Sequence, residues 1–130
     1  MREQFIKVAI VASAAMMLIL GVWMRLDPAG FAAWANWPEH EHFLHDLGVF
    51  QIGFGVMLAS TLWWRDAIVV VLTGFVVANT FHALNHLLDL SLGGGHGYDW
   101  WVLGLFSVFA GAALVARVRV LRDRVTYARS

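Results

Sequence analysis

The stretch that decides both the fold and the candidate site is residues 79–89, NTFHALNHLLD. It closes a long apolar segment that is typical of a membrane-spanning helix. At about 3.6 residues per turn, Asn79, His82, His86 and Asp89 fall within an arc of roughly 80°. Polar side chains are costly at membrane depth and normally face a protein interior, a partner or a cavity. The stretch therefore predicts a membrane helix whose polar face meets polar groups on a neighbouring helix.

The composition of the whole chain is that of a membrane protein. Hydrophobic residues make up 60% of its 130 residues and charged residues only 14%, whereas a soluble domain carries about 25% charged residues. Four runs without Asp, Glu, Lys or Arg approach the length that spans a bilayer, and they cover residues 8–24, 47–64, 67–88 and 100–116. The chain is predicted to be all-α: a single-domain integral membrane four-helix bundle in contact with the lipid bilayer.

Helix-breaking Pro and Gly residues, together with aromatic residues at the membrane interface, define the expected helix boundaries. We expect membrane helices at about residues 5–26, 40–64, 66–90 and 99–121, and a short interfacial helix at about 29–37. The short link at Arg65 and Asp66 predicts that helices two and three form an antiparallel hairpin. Gly53 and Ser60 on helix two would let a neighbour approach closely. Residues 91–98, SLGGGHGY, are expected to form a flexible linker.

Basic residues predict the orientation. In a four-span arrangement eight basic residues lie on one side and only Arg25 on the other; the eight are Arg2, Lys7, Arg65, Arg117, Arg119, Arg122, Arg124 and Arg129. Such a bias places both the N- and C-termini in the cytoplasm, as in a protein of a bacterial inner or plasma membrane. The basic tail is interpreted as an anchor at lipid headgroups rather than a nucleic-acid site.

The opposite, extracytoplasmic face is acidic and rich in histidine. Six of the nine acidic residues lie on this face: Asp27, Glu39, Glu41, Asp46, Asp89 and Asp99. All six histidines lie there too: His40, His42, His45, His82, His86 and His96. The chain has no cysteine, which excludes disulfides, thiolate metal sites and iron–sulfur clusters.

This distribution predicts a metal site between helices two and three. On helix two, His42, His45 and Asp46 share a face, and His45 is expected at the depth of His82. Imidazole and carboxylate ligands suit a divalent transition metal such as Zn, Fe, Mn or Cu, and the spacing of His82 and His86 places two imidazoles one turn apart. His40 and His96 are expected in solvated loops. The predicted metal ligands are His42, His45, Asp46, His82, His86 and Asp89.

Other roles are open to the same residues. His45 and His82 could instead supply axial ligands to heme inside a helical bundle. The polar groups could also form a hydrogen-bonded network that only holds the helices together. Redox or hydrolytic chemistry would need an open coordination position. No catalytic residue is assigned, and whether the chain is an enzyme is left open.

The predicted arrangement of this chain resembles the small four-helix membrane proteins of the DoxX-like group. The likeness lies in the chain length, the tight Trp64-Arg65-Asp66 link and the glycines of helix two, Gly48, Gly53 and Gly55. Some members of that group are accessory subunits of respiratory oxidoreductases. The resemblance therefore implies a role bound to a larger membrane complex, and the small residues of helix four would also permit a homo-oligomer.

Overall fold

A computed structural model describes residues 1–127, and over this range the chain is helical without β-strands. Its helices are α1 (Arg2–Leu26), α2 (Pro28–Ala35), α3 (Glu41–Ser60), α4 (Ile68–Leu88) and α5 (Asp99–Tyr127), with a 3-10 turn at Arg65–Ala67 before α4. Among the described residues, four helices are long and apolar enough to cross a membrane: α1, α3, α4 with its preceding turn, and α5. The predicted all-α, four-span architecture is confirmed. Arg129 of the basic tail lies outside the described residues.

Local side-chain chemistry sets the ends of the short helix and the start of α3. The Asp27 carboxylate accepts a hydrogen bond from the Gly30 N–H at 3.0 Å, and Pro28 occupies the first turn of α2, as helix N-termini favour. Asn36 ends α2 in the left-handed conformation. His40 Nδ1 accepts from the Phe43 N–H at 3.2 Å and caps α3. His40 therefore has a structural role in the loop.

The closest helix contact joins α1 to α3 through glycine. A Cβ atom added to Gly48 would lie 2.7 Å from the Gly21 carbonyl oxygen, and one added to Gly21 would lie 2.8 Å from the Gly48 carbonyl oxygen. At Gly55 an added Cβ would lie 2.6 Å from Leu18 Cγ. The two backbones can approach this closely only because side chains are missing at the crossing.

The pairing of the helices differs from the expected hairpin. α3 packs mainly on α1, α4 packs mainly on α5, and α3 touches α4 only sparsely. Gly53 was predicted to face a neighbouring helix, and this is wrong, since no atom lies within 4 Å of an added Cβ there. The Asn79 amide also bonds to α5 and not to α3: its Nδ2 donates to the Leu103 carbonyl at 2.7 Å and to Ser107 Oγ at 2.9 Å.

Two apolar clusters fill the interior. The larger lies among α1, α3, α4 and α5 and includes Ile10, Leu58, Leu72 and Phe75. The smaller lies under α2, where Phe31 and Ala32 pack with Met24 of α1 and Leu44 of α3. The second cluster fixes α2 and its tryptophans over one end of the bundle.

The opposite end is held by charges around Glu3. Its carboxylate pairs with Arg65, with Arg117 at 3.7 Å and with Arg124 at 3.6 Å. Arg117 is only 2% exposed, and its Nη2 also donates to the Arg65 carbonyl at 2.9 Å. The basic residues of α1, the 3-10 turn and α5 thus meet at one end, and which side of the membrane this end occupies remains a prediction.

The α1–α3 crossing predicts a strong position effect for alanine. Gly48→Ala should lower the unfolding free energy by about 1–3 kcal/mol, because the added methyl group meets the Gly21 backbone. Gly53→Ala on the same helix is the matched control, and it should leave stability unchanged or raise it through better helix propensity. Thermal unfolding of both variants in detergent measures the difference, and equal effects would contradict the crossing.

The charge cluster predicts a second effect. Glu3→Gln should destabilise the fold by roughly 1–3 kcal/mol, because it leaves the buried Arg117 without its carboxylate. This is less than the loss at a fully buried pair, since 36% of the Glu3 side chain is exposed. Asp66→Asn removes an exposed carboxylate from the same end and should change the melting temperature little. A melting curve for Glu3→Gln that matches Asp66→Asn would refute this role.

Candidate functional site

The glycine-rich segment before α5 folds back onto α2. Gly93, Gly94 and Gly95 have φ angles of 81°, 82° and 72°, a left-handed conformation that glycine adopts without steric cost. The Gly95 N–H donates to the Ala35 carbonyl at 3.0 Å. The segment was expected to be a flexible linker, but its backbone is tied to α2. This fold carries His96 and Asp99 to the end of α4.

Four side chains then form a continuous series of contacts. His82 Nε2 lies 3.1 Å from His86 Nε2, His86 Nδ1 lies 3.8 Å from Asp99 Oδ2, and Asp99 Oδ1 lies 3.7 Å from His96 Nδ1. The His96 backbone N–H also donates to Asp99 Oδ2 at 2.7 Å. We refer to His82, His86, Asp99 and His96 as the contact chain.

His86 lies between a carboxylate and a second imidazole. A carboxylate beside one ring nitrogen of a histidine favours the N–H on that nitrogen. Asp99 is the carboxylate nearest to His86 Nδ1, at 3.8 Å, and the tautomers of the two rings decide which Nε2 donates between His86 and His82. The His86 and Asp99 side chains are only 17% and 21% exposed, and this partial burial limits competition from water.

Aromatic rings from the α2 region cover the contact chain. Trp37 stacks on His86 with ring centroids 6.5 Å apart, and Trp34 lies 5.8 Å from His96. Tyr98 stacks on His96 at 4.8 Å. Trp34 and Trp37 belong to the segment that the sequence predicts as a short interfacial helix. Their contacts show that they also hold two of the imidazoles in place.

The predicted site residues of α3 do not contact His82 or His86, and they pair within their own helix. His42 pairs with Asp46 at 3.5 Å, and His45 lies 3.9 Å from Glu41. Both pairs are formed within α3, and the His42 and Asp46 side chains are 84% and 62% exposed. His42 and Asp46 lie on a face of α3 other than the one that Gly48 and Gly55 turn toward α1, and they line an open cavity with Trp37 and the glycine segment. The structure brings His82 and His86 together but does not bring these α3 residues to them.

Asp89 is the last of the predicted ligands. It follows the end of α4 and is exposed. With Asn85, His86 and the glycine segment it lines an outer, polar cavity of about 470 Å³. Asp89 is thus near the contact chain without joining it.

Within residues 1–127, no group of three His, Cys, Asp or Glu side chains is arranged to hold a metal ion. The six-ligand site therefore stays a prediction, and the converging imidazole pair of α4 is its nearest counterpart. His96 and Asp99 were missed as site residues, since His96 was expected in a solvated loop and Asp99 at the start of helix four. Their spacing of three residues across the start of α5 was the available signal, because it lets both reach the same neighbour.

The contact chain separates two cavities. His82, His86 and His96 line both the outer polar cavity and an inner cavity of about 200 Å³. The inner cavity is bounded by apolar side chains from α1, α2, α3 and α5, including Leu20, Phe31, Leu47 and Phe106, with Gln51 as the polar group of α3 and the two histidines as the lining of α4. The imidazoles thus stand between a polar space at the end of the bundle and an apolar space within it.

No protein-family model matches this chain, and no curated protein or solved structure is significantly similar to it. The four membrane-spanning helices and the contact chain are therefore the basis for a function.

Proposed function

We propose that this small integral membrane protein binds a divalent transition metal ion between His82 and His86. The observation that carries the proposal is the distance of 3.1 Å between the two Nε2 atoms. Two histidines on one helix face, one turn apart, are a common pair of metal ligands. The convergence of their ring nitrogens on one point goes beyond what the spacing requires.

The nitrogen separation suits a shared ion. With metal–nitrogen bonds of about 2.0–2.1 Å, a distance of 3.1 Å corresponds to an angle at the metal of about 95–102°. That angle lies between the octahedral and tetrahedral values, so the two rings need little movement to bind Zn, Fe, Mn or Cu. The same distance also fits a hydrogen bond between the rings, and the experiments below separate the two.

Asp99 supplies the support that metal-bound histidines usually have. Such a histidine almost always presents its second ring nitrogen to a carboxylate, a carbonyl or water, which fixes the tautomer and raises ligand basicity. Asp99 lies on the Nδ1 side of His86 and is itself held by the His96 N–H. It therefore orients His86 without binding the ion.

Two protein ligands would leave at least two coordination positions for water or a substrate. Open positions are what redox or hydrolytic metal sites require. The outer cavity gives polar groups access to this point from one side, and the inner cavity gives apolar groups access from the other. Cu²⁺ should bind most tightly, as the general order of divalent-metal affinities predicts.

Metal binding can be measured by titrating the purified protein in detergent with Cu²⁺ and Zn²⁺ after chelator treatment. We expect about one ion per chain, and a loss of binding in both His82→Ala and His86→Ala. His42→Ala and His45→Ala are the matched controls, and they should bind like the wild type because their side chains lie elsewhere.

Other results would lead to other functions. If His45→Ala also lost the ion, the wider site with α3 would be correct and the two-histidine site wrong. A visible absorption band of heme would replace the metal ion with that cofactor. A protein that never binds metal would favour a hydrogen-bonded pair in a non-catalytic accessory subunit, the role that the DoxX-like resemblance implies.

Asp99 gives an independent test. Asp99→Asn should weaken metal affinity by roughly 10- to 100-fold, the usual cost of losing an orienting carboxylate. Asparagine keeps an oxygen for the His96 N–H, so the fold should survive. Glu41→Gln, beside His45, is the control and should leave the affinity unchanged. An Asp99→Asn protein with wild-type affinity would show that the carboxylate has no part in the site.

A further inference from the structure

A groove between α3 and α4 leads from the outside of the helix bundle to His82. It has a volume of about 370 Å³ and shares Leu47, Gln51 and His82 with the inner cavity. The groove exists because α3 packs on α1 while α4 packs on α5. The groove and the inner cavity therefore meet at two polar side chains, Gln51 and His82.

The groove opens to the outside of the bundle between two exposed phenylalanines. Phe50 and Phe81 line it and are 70% and 64% exposed, and both belong to helices that can span a membrane. Phe54 and Phe75 line its interior. A molecule dissolved among the acyl chains would meet an aromatic-walled opening rather than a closed helix pair.

Gln51 is an unpaired polar group at the meeting point. It lies ten residues into α3, about 15 Å along the axis from the first turn. Among residues 1–127 its side-chain amide has no hydrogen-bond partner. Polar groups at this depth normally have a partner or line a functional cavity, and an amide can both donate and accept. The groove thus offers a ligand a donor and an acceptor beside an imidazole.

We propose that the groove and the inner cavity bind a lipid-soluble phenol, an aromatic hydroxyl head on an apolar tail, which enters from the bilayer between α3 and α4. The four phenylalanines favour an aromatic ring over a purely aliphatic head. A hydroxyl group matches the amide of Gln51, since each can donate and accept. No Lys or Arg of residues 1–127 lines either cavity, so a phosphate or carboxylate head would lack a cationic partner.

This proposal does not depend on the metal ion, and it is tested with the metal removed. Chelator-treated protein in phosphatidylcholine nanodiscs is titrated with radiolabelled 4-nonylphenol, and bound label is measured against empty nanodiscs. Nonylbenzene, which has the same tail without the hydroxyl, is the competitor. We expect saturable binding that nonylbenzene displaces roughly three- to tenfold less well than unlabelled nonylphenol, the contribution of one hydrogen bond.

Variants locate the binding. Gln51→Leu should weaken nonylphenol binding roughly three- to tenfold and leave nonylbenzene unaffected. Ala78→Phe should abolish saturable binding, because Ala78 lines the groove. Its neighbour Val77 is exposed outside the groove, so Val77→Phe is the matched control and should bind normally.

Three outcomes would overturn the proposal. Uptake equal to that of empty nanodiscs would exclude a site. Equal displacement by nonylbenzene would show an apolar groove that does not recognise a hydroxyl head. Unchanged binding in Ala78→Phe would place any site outside the α3–α4 groove, and this variant decides the question even if Gln51→Leu fails to fold.

Discussion

The close backbone contact between Gly21 and Gly48 is the constraint on which the rest of the structure depends. An added Cβ at either position would lie less than 3 Å from the carbonyl oxygen of the other. This contact packs α3 against α1. The inner face of α4 must therefore pack against another helix, and that helix is α5. The polar bonds from Asn79 to Leu103 and Ser107 secure that second pair. The bundle is thus built as two helix pairs with a groove between α3 and α4.

The same constraint decides which polar groups can meet. With Gly48 and Gly55 toward α1, His42 and Asp46 lie on another face of α3 and pair with each other. The imidazoles of α4 instead find partners beyond their own helix in the segment before α5. That segment can reach them because three consecutive glycines turn it onto α2. A contact between helix backbones far from the site therefore determines the composition of the site.

The sequence was sufficient for the features that depend on composition and local spacing. The four membrane-spanning helices follow from long uncharged runs, and the pairing of His82 with His86 follows from helical periodicity. Sequence reasoning failed where two faces of the same helix could each have packed against a neighbouring helix. Gly53 and Gly48 are equally small, and only the fit against Gly21 and Leu18 shows that Gly48 and Gly55 face a helix. His96 and Asp99 were missed because their contacts depend on a loop conformation that no periodic pattern encodes.

The polar residues at membrane depth can be separated by whether their hydrogen bonds explain their presence. Asn79 is 2% exposed, and its amide nitrogen joins α4 to α5 through two bonds, so helix association accounts for the nitrogen; its Oδ1 atom has no hydrogen-bond partner among residues 1–127. The Gln51 side chain forms no hydrogen bond within residues 1–127. A leucine at this position would avoid the free-energy cost of placing a polar group at membrane depth. His82 contacts His86 but also lines the groove and both cavities. If His82 served only to hold helices together, it would not need to line the groove and both cavities. The unpaired Gln51 and the shared wall at His82 therefore point to ligands, one reaching the imidazoles through the polar cavity and one approaching through the bilayer.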